Sequence, residues 1–407
     1  MNRNLSLLLS GQLISQIGDK FHMLAVAFLV LKTTGSPAKM GIVLFCSVFP
    51  SMLLGIISGA FIDRYNRKTI IVFADVARGI VVSVLCVLYY LGALSFPILI
   101  VAQLLLSVCT AFFDPAIPAI IPQIVKQEQL TKANSQTQFV SGISMIAGPT
   151  LGGLTVAWAG YLPVFVINAC SYLFSAGFEG FIRLPTLEKT ALGQTKIADD
   201  ILNGCRYVYR RKSLIVILIM VGVIHFFVGS IEVVIPILAT NLIGEGAENI
   251  GFIQTFFGLG MVITAFILSI RNIAGKEVRF LFGSVFLIGL LLLIISGIHL
   301  TGIRIIFPYL ILFFAIGGSV IFAATSFRSI LQKEVDEIMM GRVFGFVSSV
   351  GNISIPLATL IFGILMEYIP HNVIVATSGF ILLPTCILAY YKLMETLTEQ
   401  QQKKFTA

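Results

Sequence analysis

Residues 5–31 read LSLLLSGQLISQIGDKFHMLAVAFLVL, a mostly apolar stretch that is long enough to cross a lipid bilayer, which takes about 20 helical residues. An acid, a base and an imidazole, Asp19, Lys20 and His22, stand near its middle. A charge at the centre of a bilayer costs roughly 2.5 kcal/mol or more, so these groups must be paired or must line a wet cavity. The stretch therefore predicts a membrane helix whose central polar side chains are paired or line a wet cavity.

The composition extends this prediction to the whole chain. Of 407 residues, 57% are hydrophobic and 11% are charged, whereas a soluble domain carries about 25% charged residues. Lipid admits only helices or closed barrels, and the apolar runs do not alternate as strands do. We predict an all-α membrane protein of twelve transmembrane helices, near 5–31, 38–62, 69–91, 96–121, 136–159, 161–183, 213–239, 249–270, 277–296, 303–328, 340–366 and 369–392.

The distribution of basic residues predicts the orientation, because lysine and arginine are retained on the cytoplasmic side. With the N-terminus inside, 23 of the 27 basic residues are cytoplasmic, whereas Lys32, Lys39 and Arg304 fall outside. We expect a multi-pass protein of the cytoplasmic membrane with both termini in the cytoplasm. The net charge of +8 reflects this bias and indicates contact with the lipid bilayer, not with nucleic acid.

The sequence offers no pattern for catalysis or for cofactor binding. Five of the six cysteines lie in apolar spans and the four histidines are scattered, so we expect neither a disulfide framework nor a metal site. The chain contains no G-x-x-x-x-G-K-[ST] stretch for ATP. We therefore expect a protein that is not an enzyme and that holds no cofactor.

The longest polar break divides the chain into two related halves. Landmarks recur at a spacing of 207 to 209 residues: Gly35 and Gly244, Asp63 and Asn272, Glu128 and Asp336, Pro149 and Pro356. Such repeated six-helix bundles are typical of secondary transporters, whose substrate path lies between the repeats. We predict an N-terminal bundle, a linker, a C-terminal bundle and a tail, at 1–184, 185–212, 213–395 and 396–407. The linker stretch ADDILNGCRYVYRRK suits either an amphipathic helix on the inner leaflet or a plain tether.

The loop between the second and third spans reads GAFIDRYNRK. Gly59 permits close helix packing, and Asp63 can neutralise basic partners or face the N-terminus of another helix. Arg64, Arg67 and Lys68 then lie at the inner membrane surface. Ordinary positive-inside flanking explains the bases but not an acid four residues after a glycine. We predict that this loop belongs to an inner gate.

The fifth span contains GPTLGG, residues 148–153. Pro149 removes a backbone donor and kinks the helix, and Gly148, Gly152 and Gly153 allow a neighbouring helix to approach closely. The same residues would also suit a packing kink in any membrane helix.

Both motifs resemble those of the major facilitator superfamily, G-x-x-x-D-R-x-x-R-K in the loop and the antiporter motif G-P-x-x-G-G in span five. The whole chain resembles the bacterial group that contains macrolide efflux proteins and the enterobactin exporter, on the stretches GQLISQIGDKFHMLA, TTGSP, ADVARG, FFDPAIPAIIPQIVKQEQLTKANS and GRVFG. The resemblance implies twelve helices in two six-helix bundles, and export of amphiphilic small molecules driven by the proton gradient.

Asp19 lies about 21 Å along the first helix from Leu5, past the middle of a ~30 Å apolar core. His22 follows three residues later on the same face. We expect Asp19, with His22, to line the central cavity and to take up the coupling proton; the alternative is a static pair with a base on a neighbouring helix. Glu232 aligns beside His22 in the second bundle and is expected at the same site or at its outer lip.

Asp75 and Arg78 are three residues apart on span three, and Asp114 lies at a matching depth in span four. We expect these three residues to form a structural ion pair near the inner gate, separate from Asp19.

Together these features predict a monomeric, proton-coupled exporter of an amphiphilic small molecule, a macrolide or another drug, that works by alternating access. An exporter of a siderophore, a lipid or another metabolite is the alternative within the same fold. A membrane sensor or scaffold is the alternative from another class, and titratable groups at membrane depth argue against it.

Overall fold

The computed structural model describes residues 3–126, 130–184, 206–270, 276–335 and 340–406. Within these ranges the chain forms twelve long α-helices and no β-strand, as predicted. In chain order the helices are α1 (Arg3–Thr34), α2 (Pro37–Arg64), α3 (Arg67–Tyr90), α4 (Phe96–Ile124), α5 (Leu130–Ala159), α6 (Tyr161–Gly180), α7 (Lys212–Thr240), α8 (Gly246–Ile270), α9 (Glu277–Leu300), α10 (Phe307–Glu334), α11 (Met340–Leu365) and α12 (His371–Thr406).

Nearly all of these helices are suited to a bilayer. Among the described residues, eleven helices contain a segment that is long and apolar enough to span it, and α11 contains a shorter apolar segment, Ile353–Leu365. About 20 residues of helix cross the hydrocarbon core. The fold is therefore that of a multi-pass membrane protein.

Glycines with positive φ end corresponding helices in the two halves of the chain. Gly35 (φ 64°) follows α1 and Gly244 (φ 105°) follows α7, at the two aligned landmarks of the sequence. Gly92 (φ 67°) and Gly302 (φ 76°) follow α3 and α9 in the same manner, although the sequence comparison did not use them. Because L side chains rarely adopt positive φ, glycine suits these four helix ends, and the shared positions support the internal repeat.

The chain divides into two compact units. The described residues of Met1–Ala191 and Ala239–Thr255 form the first unit, and those of Leu192–Leu238 and Phe256–Ala407 form the second unit. In the first unit, α1 packs against α2, α5 and α6, and α3 packs against α4 and α6. In the second unit, α9 packs against α10 and α12.

Two predicted segments lie beyond the spans. The predicted tail is helical as far as Thr406, because α12 continues through residues rich in Gln and Lys, which favour helix, and its cytoplasmic location stays a prediction. Most of the predicted linker lies outside the described residues, and positions 206–209 form one helical turn. The placement of that linker on lipid headgroups stays a prediction.

Candidate functional site

Glycines bring two helices into close contact with α1 near its middle. A Cβ atom added to Gly11 would lie 3.0 Å from Ser175 Oγ on α6, and one added to Gly18 would clash with the Ser171 side chain. On α5, a Cβ atom on Gly152 would lie 2.9 Å from the Phe21 carbonyl oxygen. Side chains of any size are thus excluded at these crossings, and α1 is held between α5 and α6.

Arg78 is the centre of a charged network between α1, α3 and α6. Its guanidinium contacts the Asp75 carboxylate on the same helix and lies 3.5 Å from Asp19 Oδ2 on α1. The Tyr172 hydroxyl on α6 donates a hydrogen bond to Asp19. The guanidinium also lies 4.0 Å above the centre of the Phe113 ring and 4.8 Å from that of Tyr172. Two carboxylates and two aromatic rings therefore stabilise one buried cation.

This network lies at the middle of the helices. Arg78 is 1% exposed and Asp19 is 34% exposed, so the protein encloses the arginine and leaves part of the Asp19 side chain accessible. Asp19 follows the first residue of α1 by 16 positions, about 24 Å of a helix that rises 1.5 Å per residue. A charged group at such depth costs several kcal/mol unless it is paired, and here the carboxylates and the guanidinium pair with one another.

The grouping of the acids differs from the sequence interpretation, which separated Asp19 from Asp75, Arg78 and Asp114. The structure joins them, since Arg78 contacts both Asp19 and Asp75. Asp114 is exposed on α4 and acts electrostatically on Arg78, Asp19 and the exposed Lys20. Sequence spacing gives the depth of a residue but not the direction in which its helix is rotated, and this rotation brings the two sets together.

His22 does not share the environment of Asp19. It is 3% exposed, its Nε2 atom lies 3.2 Å from the Gln103 side-chain nitrogen, and its ring meets Phe165 edge-on at 5.6 Å. The expected exposure of His22 to a cavity is therefore corrected to a packed position between α1, α4 and α6.

Glu232, the predicted residue of the second bundle, belongs to α7 in the second unit. It is half-buried there, and its role stays a prediction. His225 on the same helix packs its ring about 3.2 Å from the position that a Cβ atom on Gly351 would occupy, and its Nδ1 atom lies 2.8 Å from the Val221 carbonyl oxygen.

The loop between α2 and α3 is described in part. Asn66 caps α3 by accepting hydrogen bonds from the backbone N–H groups of Lys68 (3.0 Å) and Thr69 (3.4 Å). Arg67 donates to the Ala119 carbonyl near the end of α4 (2.6 Å), which joins the two helix ends. The surroundings of Gly59, Asp63 and Arg64 lie outside the described side chains, so their gate role stays a prediction.

The motif GPTLGG contacts helices on two sides of α5. Gly148 and Gly152 meet α1 at Lys20 and Phe21. On another side, a Cβ atom on Gly153 would lie 2.6 Å from the Ala247 carbonyl on α8, within the first unit. Pro149 lies inside the same helix. The motif thus brings α5 directly against the turn of α1 that carries Asp19.

Sequence reasoning missed the polar face of α6. Asn168, Tyr172, Ser175 and Glu179 are all buried and recur at spacings of three and four residues, so they share one helix face. The spacing of these polar residues in an apolar span was the signal that could have identified the face.

A helical, multi-pass fold with a charged network at membrane depth is typical of membrane transport proteins, including secondary transporters. The family model described as transmembrane secretion effector, within the major facilitator superfamily, matches residues 3–406. The chain belongs to this family of membrane transporters, which are not enzymes.

Several known proteins are similar over most of their length. An uncharacterized MFS-type transporter, YfiS of Bacillus subtilis, is 28% identical over 94% of this chain and 91% of its own. Macrolide efflux protein A of Streptococcus pyogenes is 23% identical over 93% of each chain. The staphyloferrin A transporter of Staphylococcus aureus is 25% identical over 88% of this chain and 86% of its own. The crystal structure of the nucleoside transporter NupG superposes with a TM-score of 0.75 at 12% identity over 97% of this chain and 100% of its own, which shows the shared fold.

Proposed function

We propose that this protein is a proton-coupled exporter of an amphiphilic small molecule, of the macrolide or multidrug kind. It acts as a monomer in the cytoplasmic membrane, with both termini inside, and works by alternating access. The similarity to macrolide efflux protein A supports the substrate class. The observation that carries the proposal is the sharing of Arg78 between Asp19 and Asp75 at the middle of the membrane helices.

The proposed coupling follows from the competition of two carboxylates for one guanidinium. While both are ionised, Asp19 and Asp75 share Arg78, and Tyr172 donates a further hydrogen bond to Asp19. A proton on Asp19 removes one of the two negative charges and leaves Arg78 to Asp75. Because Asp19 is partly exposed and Asp75 is fully buried, we assign the exchanged proton to Asp19.

The contact between α5 and α1 offers a route from this proton to a movement of helices. Gly148 and Gly152 allow the α5 backbone to touch α1 at Lys20 and Phe21, the two residues that follow Asp19. If a change in the pairing of Asp19 moves α1, α5 must therefore move as well, because no flexible side chain lies between the two backbones at this crossing. The proposed inner gate, formed by Gly59, Asp63, Arg64, Arg67 and Lys68, would respond to the same movement.

A siderophore exporter is the second candidate. The similarity to the staphyloferrin A transporter favours it. The exposed Lys20 beside Asp19 also favours it, because a cationic side chain would attract an anionic substrate.

Transport in everted membrane vesicles tests the proposal. A pH gradient with an acidic lumen should drive accumulation of a labelled macrolide, and a protonophore should abolish it. Asp19→Asn should lose this accumulation but keep the exchange of labelled for unlabelled substrate, since Asn preserves the shape of the side chain and does not titrate. Accumulation of staphyloferrin A but not of the macrolide would favour the second candidate.

The matched control is Glu245→Gln, which removes an exposed acid from the loop between α7 and α8 and should transport as the unmodified protein does. Full accumulation by Asp19→Asn in response to the imposed gradient would show that Asp19 is a static partner of Arg78.

A further inference from the structure

A second buried acid lies in the first unit beside the Arg78 network. Glu179 is the penultimate residue of α6 and is 0% exposed. Within the described part of the chain, neither of its carboxyl oxygens has a hydrogen-bond partner. Burying an ionised carboxylate without partners is far more costly than burying the neutral acid.

Ser175 lies between Glu179 and Asp75. Its side chain is close enough to interact with both carboxyl groups. Its Oγ atom lies 3.0 Å from the position that a Cβ atom on Gly11 of α1 would occupy. Ser175 is fully buried, and among the described residues its Oγ atom has no partner at normal hydrogen-bond distance, nor has Asp75 Oδ2. Three neighbouring buried groups on α3 and α6 therefore have polar atoms without a hydrogen-bond partner. A proton is the smallest cation that could bind among them.

We propose that Glu179, with Ser175 and Asp75, forms a second proton-binding site inside the first unit, distinct from Asp19, and that Arg78 links the two. This inference rests on the proposed function for its role in transport, but the site itself does not depend on that function. We assign the neutral acid to Glu179 in this conformation, because it is fully buried and neither carboxyl oxygen has a partner that would stabilise the ionised form. Its carboxyl at the C-terminal end of α6 also faces the negative end of the helix dipole, which disfavours the ionised form.

The groups that act on Glu179 come from the three helices that pack against α6. From α3 they are Asp75 and Arg78. From α1, Gly11 faces the site without titrating, and Asp19 acts through its effect on Asp75. The described side chains of α5 include no titratable residue. Glu179 is therefore linked to the rest of the protein through Arg78 and Asp75.

The two sites are linked because their carboxylates compete for the single guanidinium of Arg78. When Glu179 gives its proton to water, a second negative charge forms beside Asp75 and draws Arg78 away from Asp19. Asp19 then loses its cation and takes a proton from water, so one proton is released at one site and one is bound at the other. The reverse redistribution follows when Glu179 is protonated again. By linkage, each site must shift the proton affinity of the other by the same factor.

An exposed contact between α1 and the segment after α6 lies near this site in the sequence of the first unit. Asn4, near the start of α1, donates to the Arg183 carbonyl (2.8 Å) and accepts from its backbone N–H (3.2 Å), and both bonds are exposed. Arg183 follows Glu179 by four residues. Opening of this exposed contact would let water reach Glu179 without passing Asp19.

Infrared difference spectroscopy on the purified full-length protein tests the site without transport. As pH is raised, the unmodified protein should show the carbonyl stretch of a buried carboxylic acid that persists after exposed acids have ionised. Glu179→Gln should lose this band, whereas Glu245→Gln, which changes an exposed acid, should keep it. In Asp19→Asn the band should remain and its midpoint should move, because the competing carboxylate has been removed.

A neutral acid at Glu179 that is merely structural would leave the midpoint of the band unchanged in Asp19→Asn, and this result would overturn the link. Absence of any band that depends on Glu179 would overturn the site, even if macrolide accumulation in vesicles remained proton-driven. Conversely, a band that behaves as expected in a protein without proton-driven accumulation would contradict the proposed function and leave the second site standing. Ser175→Ala should shift the midpoint of the band without removing it.

Discussion

Two equivalent interfaces, α3 with α6 in the first unit and α9 with α12 in the second unit, share a packing contact. They differ in that the first has charged and polar residues where the second has apolar ones. A Cβ atom on Gly79 would meet Leu173 Cδ2 at 2.9 Å, and one on Gly289 would meet Leu383 Cδ2 at 3.1 Å. Both members of the second pair follow those of the first by 210 residues. At this spacing, Asp75, Arg78 and Tyr172 correspond to three buried apolar residues, Val285, Ile288 and Leu382.

This difference separates the requirements of folding from those of function. At the three positions that correspond to Asp75, Arg78 and Tyr172, the second unit packs apolar residues, which need no ion pairing. The first unit instead retains a buried arginine and its acids. Since buried ion pairs are weak grounds for stability, we infer that the network is retained for what it does in transport.

The crossing of the first and fifth helices of each unit shows the same principle. In the first unit the glycine is on the fifth helix, where Gly148 faces the Cβ atom of Lys20. In the second unit the glycine is on the first helix, where a Cβ atom on Gly229 would lie 3.1 Å from Ile355 Cα. Close approach needs one small residue in either case. Its location on α5 leaves α1 of the first unit free to carry polar side chains.

The largest effect is expected when the charged interface loses its cation. Arg78→Ile introduces the residue found at the corresponding position of the second unit but leaves Asp75 buried without its partner. Removing one member of a buried ion pair costs about 3–5 kcal/mol. We expect this variant to unfold at a much lower temperature, or to be absent from the membrane, as measured by size-exclusion chromatography of heated detergent extracts.

The matched variant carries Asp75→Val, Arg78→Ile and Tyr172→Leu together, so that the three residues match those of the second unit. It should recover part of the lost stability, because Asp75 is removed together with its cation and only Asp19, which is partly exposed, loses its partners. It should still fail to accumulate substrate. A triple variant as unstable as Arg78→Ile would show that the two interfaces are not equivalent in packing.

The next effect concerns the crossing of α1 and α5. Gly148→Ile places a large side chain against Lys20, and overpacking of this kind costs about 1–3 kcal/mol. Lys20→Gly in the same chain copies the arrangement of the second unit and should restore the folded protein. The yield of monodisperse protein from membranes measures both variants, with Lys20→Gly alone as control. If Gly148→Ile alone and Gly148→Ile with Lys20→Gly lost the same yield, the small residue could not be moved from one helix of this crossing to the other, and the prediction would be wrong.

The sequence was sufficient for the helices but not for the contacts among polar residues. Hydrophobic length predicts each span, and Gly35 and Gly244 mark the same helix end in both halves. The association of Asp19 with Arg78 depends on the rotation of two helices, which spacing along one chain does not give. His22 shares a helix face with Asp19 by spacing, yet it packs against Gln103 because a third helix lies there.

A smaller effect is expected for the acid of the second unit. Glu232 is half-buried on α7, in a unit that has apolar residues where the first unit has Arg78 and its partners. Glu232→Gln should therefore lower proton-driven accumulation by less than a factor of ten, which corresponds to about 1.4 kcal/mol. Vesicle uptake compared side by side with Asp19→Asn measures this difference. A complete loss in Glu232→Gln would mean that both units carry the coupling.

The smallest effect distinguishes the two glycines at the equivalent interfaces. An alanine at position 79 meets the tip of Leu173, which is 47% exposed and can move toward lipid. An alanine at position 289 meets the Gly379 backbone carbonyl at 3.2 Å, and that atom can move only with its helix. Alanine also favours helix over glycine by up to about 1 kcal/mol. We expect Gly79→Ala to be neutral or slightly stabilising and Gly289→Ala to lower the unfolding temperature, since a shift of the α12 backbone outweighs the gain in helix propensity. Thermal unfolding of the two purified variants under identical detergent conditions measures the difference, and the opposite order would show that α9 and α12 separate more easily than their apolar contact suggests.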